Sequence, residues 1–145
     1  MVSLKDLIAW HLRRFCRLMG VFRVLQFLGV PSLYYPLIFG DSDRLHTGKQ
    51  VELSNTLFNT IGGHIFVGDN TFFGHNCMVL TGKHLGRSQS EVVSEGNDIR
   101  IGARCWIASG VIIIGGVTIG DSCLIAAGSI VTHDVPDTTT VKGKY

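Results

Sequence analysis

The chain is poor in proline, with 3 in 145 residues, and poor in charge, with 17% Asp, Glu, Lys and Arg and a net charge of +2. So little proline excludes collagen-like and proline-rich disordered chains. So small a net charge excludes nucleic acid as the main partner. The four cysteines, Cys16, Cys77, Cys105 and Cys123, never stand as C-x-x-C. That excludes a zinc knuckle or a thioredoxin-type site, and their apolar surroundings predict buried thiols in a reducing compartment. Long hydrophobic runs are also missing. The uncharged stretch from Val24 to Gly40 is interrupted by Pro31 and Pro36 and falls short of the about 20 residues of a membrane span. What remains is one domain's worth of chain, 46% hydrophobic and rich in glycine at 18 residues.

Charge is concentrated at one end. Residues 1–30 carry Lys5, Arg13, Arg14, Arg17 and Arg23 against Asp6 alone, whereas the rest of the chain is slightly acidic. Leu4, Leu7, Ile8, Leu12, Phe15, Leu18, Met19, Phe22 and Leu25 recur at steps of three and four, which predicts an amphipathic helix. Ser3 is its N-cap, and Gly29 and Pro31 end it. Two placements stay open for residues 3–29: packing on the fold or on a sister subunit, and contact with an anionic membrane surface. Residues 31–145 then form the second region.

That region is governed by a repeat. Residues 101–118 laid over residues 119–136 match at eight positions. Within each eighteen-residue unit runs a period of six: Ile101, Ile107, Ile113, Ile119, Ile125 and Val131 are branched aliphatics, each followed mostly by a small residue. Cys105, Val111, Val117, Cys123, Ser129 and Val135 supply compact residues four places on. The beat continues upstream at Ile61, Val67, Phe73 and Val79, and less cleanly at Leu45, Val51 and Leu57.

One aliphatic per six residues suits a short strand followed by a sharp corner. Three strands complete a triangular turn, and eighteen residues bring the chain back above its start, with parallel strands about 4.8 Å apart. Ile101 should stack on Ile119, Ile107 on Ile125, and Ile113 on Val131. Burying these six contributes on the order of 10 kcal/mol gross. Cys105 and Cys123 share a column and point the same way, so they should be packed thiols rather than a disulfide.

The run of [Ile/Val]-[Gly/Ala]-x-x-[small]-x units resembles the hexapeptide-repeat acyltransferase family, whose fold is a left-handed parallel β-helix. The resemblance covers about residues 45–136 and is more specific for fold than for activity. It implies an all-β solenoid with an N-terminal helix, assembled as a homotrimer with sites between subunits.

The beat fails between Val79 and Ile101, so residues 81–98 should be thrown out of the prism as a polar loop, and such loops often carry function. Its start, Leu80-Thr81-Gly82-Lys83-His84, is similar to the T-G-x-H segment of galactoside, maltose and polysaccharide O-acetyltransferases. The resemblance implies that His84 is the general base. A sugar hydroxyl is a poor nucleophile until its proton is taken, and imidazole, with a pKa near 6.5, suits that task. Cys105-Trp106-Ile107-Ala108-Ser109 resembles the family's V-W-I-G-[Ser/Ala/Gly] segment, implying that Trp106 lines the cleft and the backbone at Ser109 faces the thioester oxyanion.

The implied co-substrate is acetyl-CoA, without a metal, its arm lying along Ala127 and Gly128. Val131-Thr132-His133-Asp134-Val135-Pro136 resembles V-T-K-D-[Ile/Val]-P and assigns Thr132 and His133 to the nucleotide end. His133 stands where the family has Lys, and residues 141–145 do not match the family's G-x-P-A-[Lys/Arg] pattern; both imply weaker cofactor binding. Asn59 matches an acceptor-holding Asn, and Arg87 and Glu91 are loop residues able to meet a sugar or a sister subunit. His64 and His75 should be hydrogen-bonded structural residues, and His11 and His46 lack catalytic context.

Together these imply an acetyl-CoA-dependent O-acetyltransferase acting on a sugar hydroxyl, of a cell-surface polysaccharide or its precursor, at the cytoplasmic side of a membrane. The alternatives are N-acetylation of an amino sugar and a non-catalytic β-helix scaffold. A γ-class carbonic anhydrase-like metal site does not fit, because His64, His75 and His84 lack the H-x-x-x-x-H spacing.

Overall fold

A computed structural model describes residues 36–82 and 97–145. The amphipathic segment in residues 1–30, Cys16 and the loop residues Lys83, His84, Arg87 and Glu91 lie outside the described residues. Among those described, no helix is long and apolar enough to cross a membrane.

Short strands alternate with corners throughout: β1 (Leu37–Phe39), β2 (Leu45–Thr47), β3 (Leu57–Asn59), β4 (Ile65–Val67), β5 (Phe72–Phe73), β6 (Met78–Leu80) and β7 (Ile99–Ile101). They continue as β8 (Trp106–Ile107), β9 (Ile112–Ile114), β10 (Thr118–Ile119), β11 (Leu124–Ile125), β12 (Ile130–Val131) and β13 (Thr140–Val141). They build three parallel sheets: β1-β3-β6-β9-β12 on the first face, β2-β4-β7-β10 on the second, and β5-β8-β11-β13 on the third. Each turn of chain visits the three faces in that order. The fold is the parallel β-helix that the repeat implies, left-handed as the family resemblance implies.

The register follows the eighteen-residue unit. Ile119 pairs with Ile101, Ile125 with Ile107 and Val131 with Ile113. All six are almost fully buried, as are Cys105, Val111, Val117, Cys123, Ser129 and Val135. Cys77, Cys105 and Cys123 are free thiols, each with Sγ 3.1 Å from a carbonyl oxygen: Ala108, Gly120 and Pro136 respectively. Burial pushes the Cys77 and Cys105 thiols above their usual pKa, which keeps them un-ionised.

The corner between the second and third faces shows why glycine precedes it. Asp121 Oδ1 accepts from Ala103 N–H at 2.8 Å, and Asp137 Oδ1 accepts from Asp121 N–H at 2.8 Å. A Cβ on Gly102 would stand 2.5 Å from the Asp121 carboxylate, and one on Gly120 would collide with that of Asp137. Arg104, Ser122 and Thr138 then turn the chain with φ near +56°. Arg104 also reaches Asp121 at 2.9 Å. Ala103 N–H first, and Arg104 with it, hold the Asp121 carboxyl below the usual carboxylate range.

The early coils depart from the expected beat. Ile61 is 40% exposed on a corner rather than buried in a ladder. Phe58, not Leu57, pairs with Val79 and faces inward. Leu45 pairs with Ile65, so it stands two places off the Val67 column, which Thr47 occupies. The reason is length: Val79 lies twenty-one residues after Phe58, and Val67 twenty after Thr47. The extra residues sit in the corners, notably Ile61-Gly62-Gly63 between β3 and β4. The interior is filled there by Phe58 and Phe73, edge to face at 5.6 Å.

Candidate functional site

The described wall breaks off at Gly82 and resumes at Asn97, at the corner between the first and second faces, one coil beyond Ile61-Gly62-Gly63. The root before the break is tied down. Thr81 is fully buried; its N–H and its hydroxyl both donate to Asn59 O, at 3.0 and 2.7 Å, and its Oγ1 accepts from Gly62 N–H at 3.0 Å. A Cβ on Gly62 would run into the Thr81 carbonyl, so that approach requires glycine. On the return, Asp98 Oδ1 accepts from His64 N–H at 2.8 Å, and Ile99 N–H donates to His64 O at 2.9 Å. Both ends close on Gly115, whose Cβ would meet Thr81 O at 2.8 Å and Asn97 O at 3.1 Å. Thr81, Gly82, Asn97 and Asp98, expected within the loop, therefore belong to the prism wall.

Asn59 lies directly under that root. Leu80 is its partner in register, and its Nδ2 is the nearest atom to the space above Gly82, 3.8 Å from where a Cβ there would stand. Its Oδ1 accepts from Ile61 N–H at 3.0 Å, which fixes the amide's orientation. The structure thus joins Asn59 to Thr81 and Gly82 of the T-G-x-H segment, while His84 itself lies outside the described residues.

Ser109 lies at the other edge of the first face, at the corner entered from the third. Its Oγ accepts from His75 N–H at 3.1 Å, and its carbonyl accepts from Gly128 N–H at 3.0 Å, so Gly74, Ser109 and Gly128 form one corner column. Neither Ser109 N–H nor Ala127 N–H donates to any partner among the described residues. Both residues are exposed, so these are two backbone donors, one coil apart, open to solvent or to a ligand. Thr132 and His133 lie elsewhere, at the first-to-second corner of the top coil. There the Thr132 hydroxyl is 2.9 Å from His133 Nδ1 and donates to Tyr145 O at 2.7 Å. The structure brings Ser109, Ala127 and Gly128 together and leaves Thr132 and His133 across the width of the first face, about 10 Å.

Trp106 is 48% exposed on the third face and stacks on Phe72, ring centroids 5.5 Å apart and planes at 28°. Phe72 was not among the candidates read from sequence. Its signal is positional: it precedes the buried Phe73 as Trp106 precedes the buried Ile107, and the two pairs share a register. Of the histidines, His64 Nδ1 is 3.0 Å from His46 Nε2, and His46 stacks on Phe66, over which Arg100 lies at 4.2 Å. Among the described residues no three of His, Cys, Asp and Glu are grouped as a metal would require.

Comparison with known proteins places this fold. The family model described as bacterial transferase hexapeptide (six repeats) matches residues 98–133, and the one described as hexapeptide repeat of succinyl-transferase matches residues 64–88. Residues 64–88 and 98–133 thus carry the hexapeptide repeat of bacterial transferases. It is 35% identical to galactoside O-acetyltransferase of Escherichia coli over 74% of this chain and 54% of that one. It is 34% identical to serine acetyltransferase of Bacillus subtilis over 69% of this chain and 47% of that one. A hexapeptide-repeat acetyltransferase of Vibrio cholerae, solved in complex with acetyl coenzyme A, superposes with a TM-score of 0.69 at 28% identity, covering 75% of this chain and 62% of that one. This hexapeptide-repeat chain spans about half to two thirds of the length of the relatives it matches.

Proposed function

We propose that the chain is an acetyl-CoA-dependent O-acetyltransferase that acetylates a sugar hydroxyl of a cell-surface polysaccharide or its precursor. The observation that carries this reading is the column of open amide donors at Ser109 and Ala127. Backbone N–H groups fixed on a rigid corner suit the amide groups and the thioester oxygen of an acyl-pantetheine arm. That arm lies along Gly128 and Ala127, with Trp106 walling the thioester end; Thr132 and His133, on the opposite edge of the first face, meet the nucleotide end from a second copy.

His84 takes the proton from the acceptor hydroxyl as its oxygen attacks the thioester carbon. The Ser109 N–H steadies the oxyanion, and collapse expels the CoA thiolate, which is then protonated; no acyl-enzyme forms. Asn59, at the root of the His84 loop, holds the acceptor. The Asn59 and Ser109 edges are separated by the breadth of the first face, which favours a homotrimer in which one copy's loop edge meets another copy's donor edge. In this reading residues 3–29 rest on the cytoplasmic side of a membrane, and flotation with anionic vesicles tests that; failure of the chain to float removes it.

Thiol release from acetyl-CoA against a panel of sugars, amino sugars and serine tests the chemistry. A hydroxyl acceptor should support turnover, and His84→Ala should lower kcat by about 10²–10⁴. Turnover only with amines, or a His84→Ala variant equal to wild type, contradicts the reading.

A further inference from the structure

We propose that the third face carries a glycan subsite, built from the Phe72–Trp106 pair and the open groove beside it, that holds the non-reacting part of an oligosaccharide acceptor. The proposal rests on the sugar-acceptor reading and names the class within it: a neutral oligosaccharide rather than a lone sugar.

Three features converge. Phe72 is 40% and Trp106 48% exposed, and their strands pair in register, which sets the two rings side by side as an exposed aromatic pair. Next to it an open surface groove is lined by Gln50, Glu52, Asn70 and Phe72. Its lining combines two side-chain amides and one carboxylate with a ring. A sugar ring presents exactly opposed needs on its two aspects: a C–H face that packs on an aromatic ring, and a rim of hydroxyls that planar amides and carboxylates pair with two at a time.

Position supports the same occupant. Glu52 is bridged to Phe72, and Phe72 is paired with Trp106. The three therefore rise along the prism at about 4.8 Å steps, toward the coil of Ser109. The Ala127–Gly128 column reserved for the cofactor continues on the far side of Ser109. A chain of sugars entering past Glu52 and Phe72 meets the thioester end from the side the cofactor leaves open.

The test compares a methyl galactoside with a galactose-containing trisaccharide, in wild type and in Phe72→Ala, Phe72→Leu and Glu52→Gln. Saturation-transfer NMR reads binding directly. The trisaccharide should receive saturation at its C–H protons in wild type and lose it in Phe72→Ala. In turnover, Phe72→Ala and Glu52→Gln should each raise KM for the trisaccharide about tenfold, with kcat on the methyl galactoside and KM for acetyl-CoA changed less than about twofold. Phe72→Leu, which keeps apolar area without the ring, should fall nearer to Ala than to wild type.

Unchanged trisaccharide KM and saturation in the variants would overturn the subsite while leaving sugar acetylation intact. So would a shift in oligomeric state on Phe72→Ala, which would mark the aromatic pair as a contact between copies. Saturation of the trisaccharide without transfer to any sugar would instead uphold the subsite and overturn the catalytic reading. Neither binding nor transfer would overturn both.

Discussion

The coils after Ile99 and those before Gly82 are made of the same unit but obey it differently. From Ile101 to Val131 each inward aliphatic lies eighteen residues from its partner, and the last coil shortens the interval to sixteen. In the earlier ones the interval stretches to twenty and twenty-one, and aromatic rings fill the interior. The extra length gathers at the corner between the first and second faces, where the next coil is interrupted after Gly82 and resumes at Asn97. Regular coils supply a uniform wall, and the departures from regularity gather at the corner where that wall is interrupted.

The largest effect that sharpens this contrast comes from the ladders themselves. Ile113→Ala, in a fully buried column, should cost about 2–5 kcal/mol, whereas Ile61→Ala, at an exposed corner, should stay within about 0.5 kcal/mol. Urea unfolding of both variants decides this; equal losses would mean that the early corner is packed like the late wall.

Next come the corners. Gly120→Ala places a methyl group against Asp137 and should cost about 1–3 kcal/mol. Gly82→Ala, with its nearest neighbour 3.8 Å away, should be nearly neutral by the same measurement. Comparable melting temperatures would break the distinction between the regular corner and the loop root.

A smaller effect is pH-dependent and confined to the late coils. The Asp121 carboxyl sits below its ordinary value because Ala103 N–H and Arg104 favour the charged form. A depressed carboxylate stabilises the fold fully above its ordinary value, about 3.9, and loses that contribution as pH falls through the lower folded value. Asp121→Asn should therefore melt below wild type near neutrality, and the gap should close as the pH is taken below about 3.9. A gap that persists in acid would assign it to packing. Smallest of all, peptides carrying Cys77 and Cys105 should resist alkylation in the native protein near neutral pH, where burial keeps both thiols protonated.

The late wall was legible because an eighteen-residue repeat forces each aliphatic onto its counterpart; Ile101, Ile107 and Ile113 could pair in no other register without turning their side chains outward. The early phase was not legible. Ile61 keeps the six-residue beat only because two glycines beside it lengthen the corner, and nothing in local hydropathy distinguishes that from a ladder position. Asn59 and Ser109 could be picked from motif resemblance, yet only the fold shows that they stand on opposite edges of one face. Phe72 was missed because its partnership with Trp106 spans thirty-four residues across the loop.

The central claim is that one site is assembled from the Asn59 and His84 edge of one copy and the Ser109 and Gly128 edge of another. Subunit mixing tests it most directly. His84→Ala and Gly128→Trp should each be inactive alone, and co-refolded together they should recover about a quarter of wild-type acetyl transfer, since random assembly restores that share of intact edges. Mixed assemblies that form but stay inactive would show that each chain must build its whole site by itself.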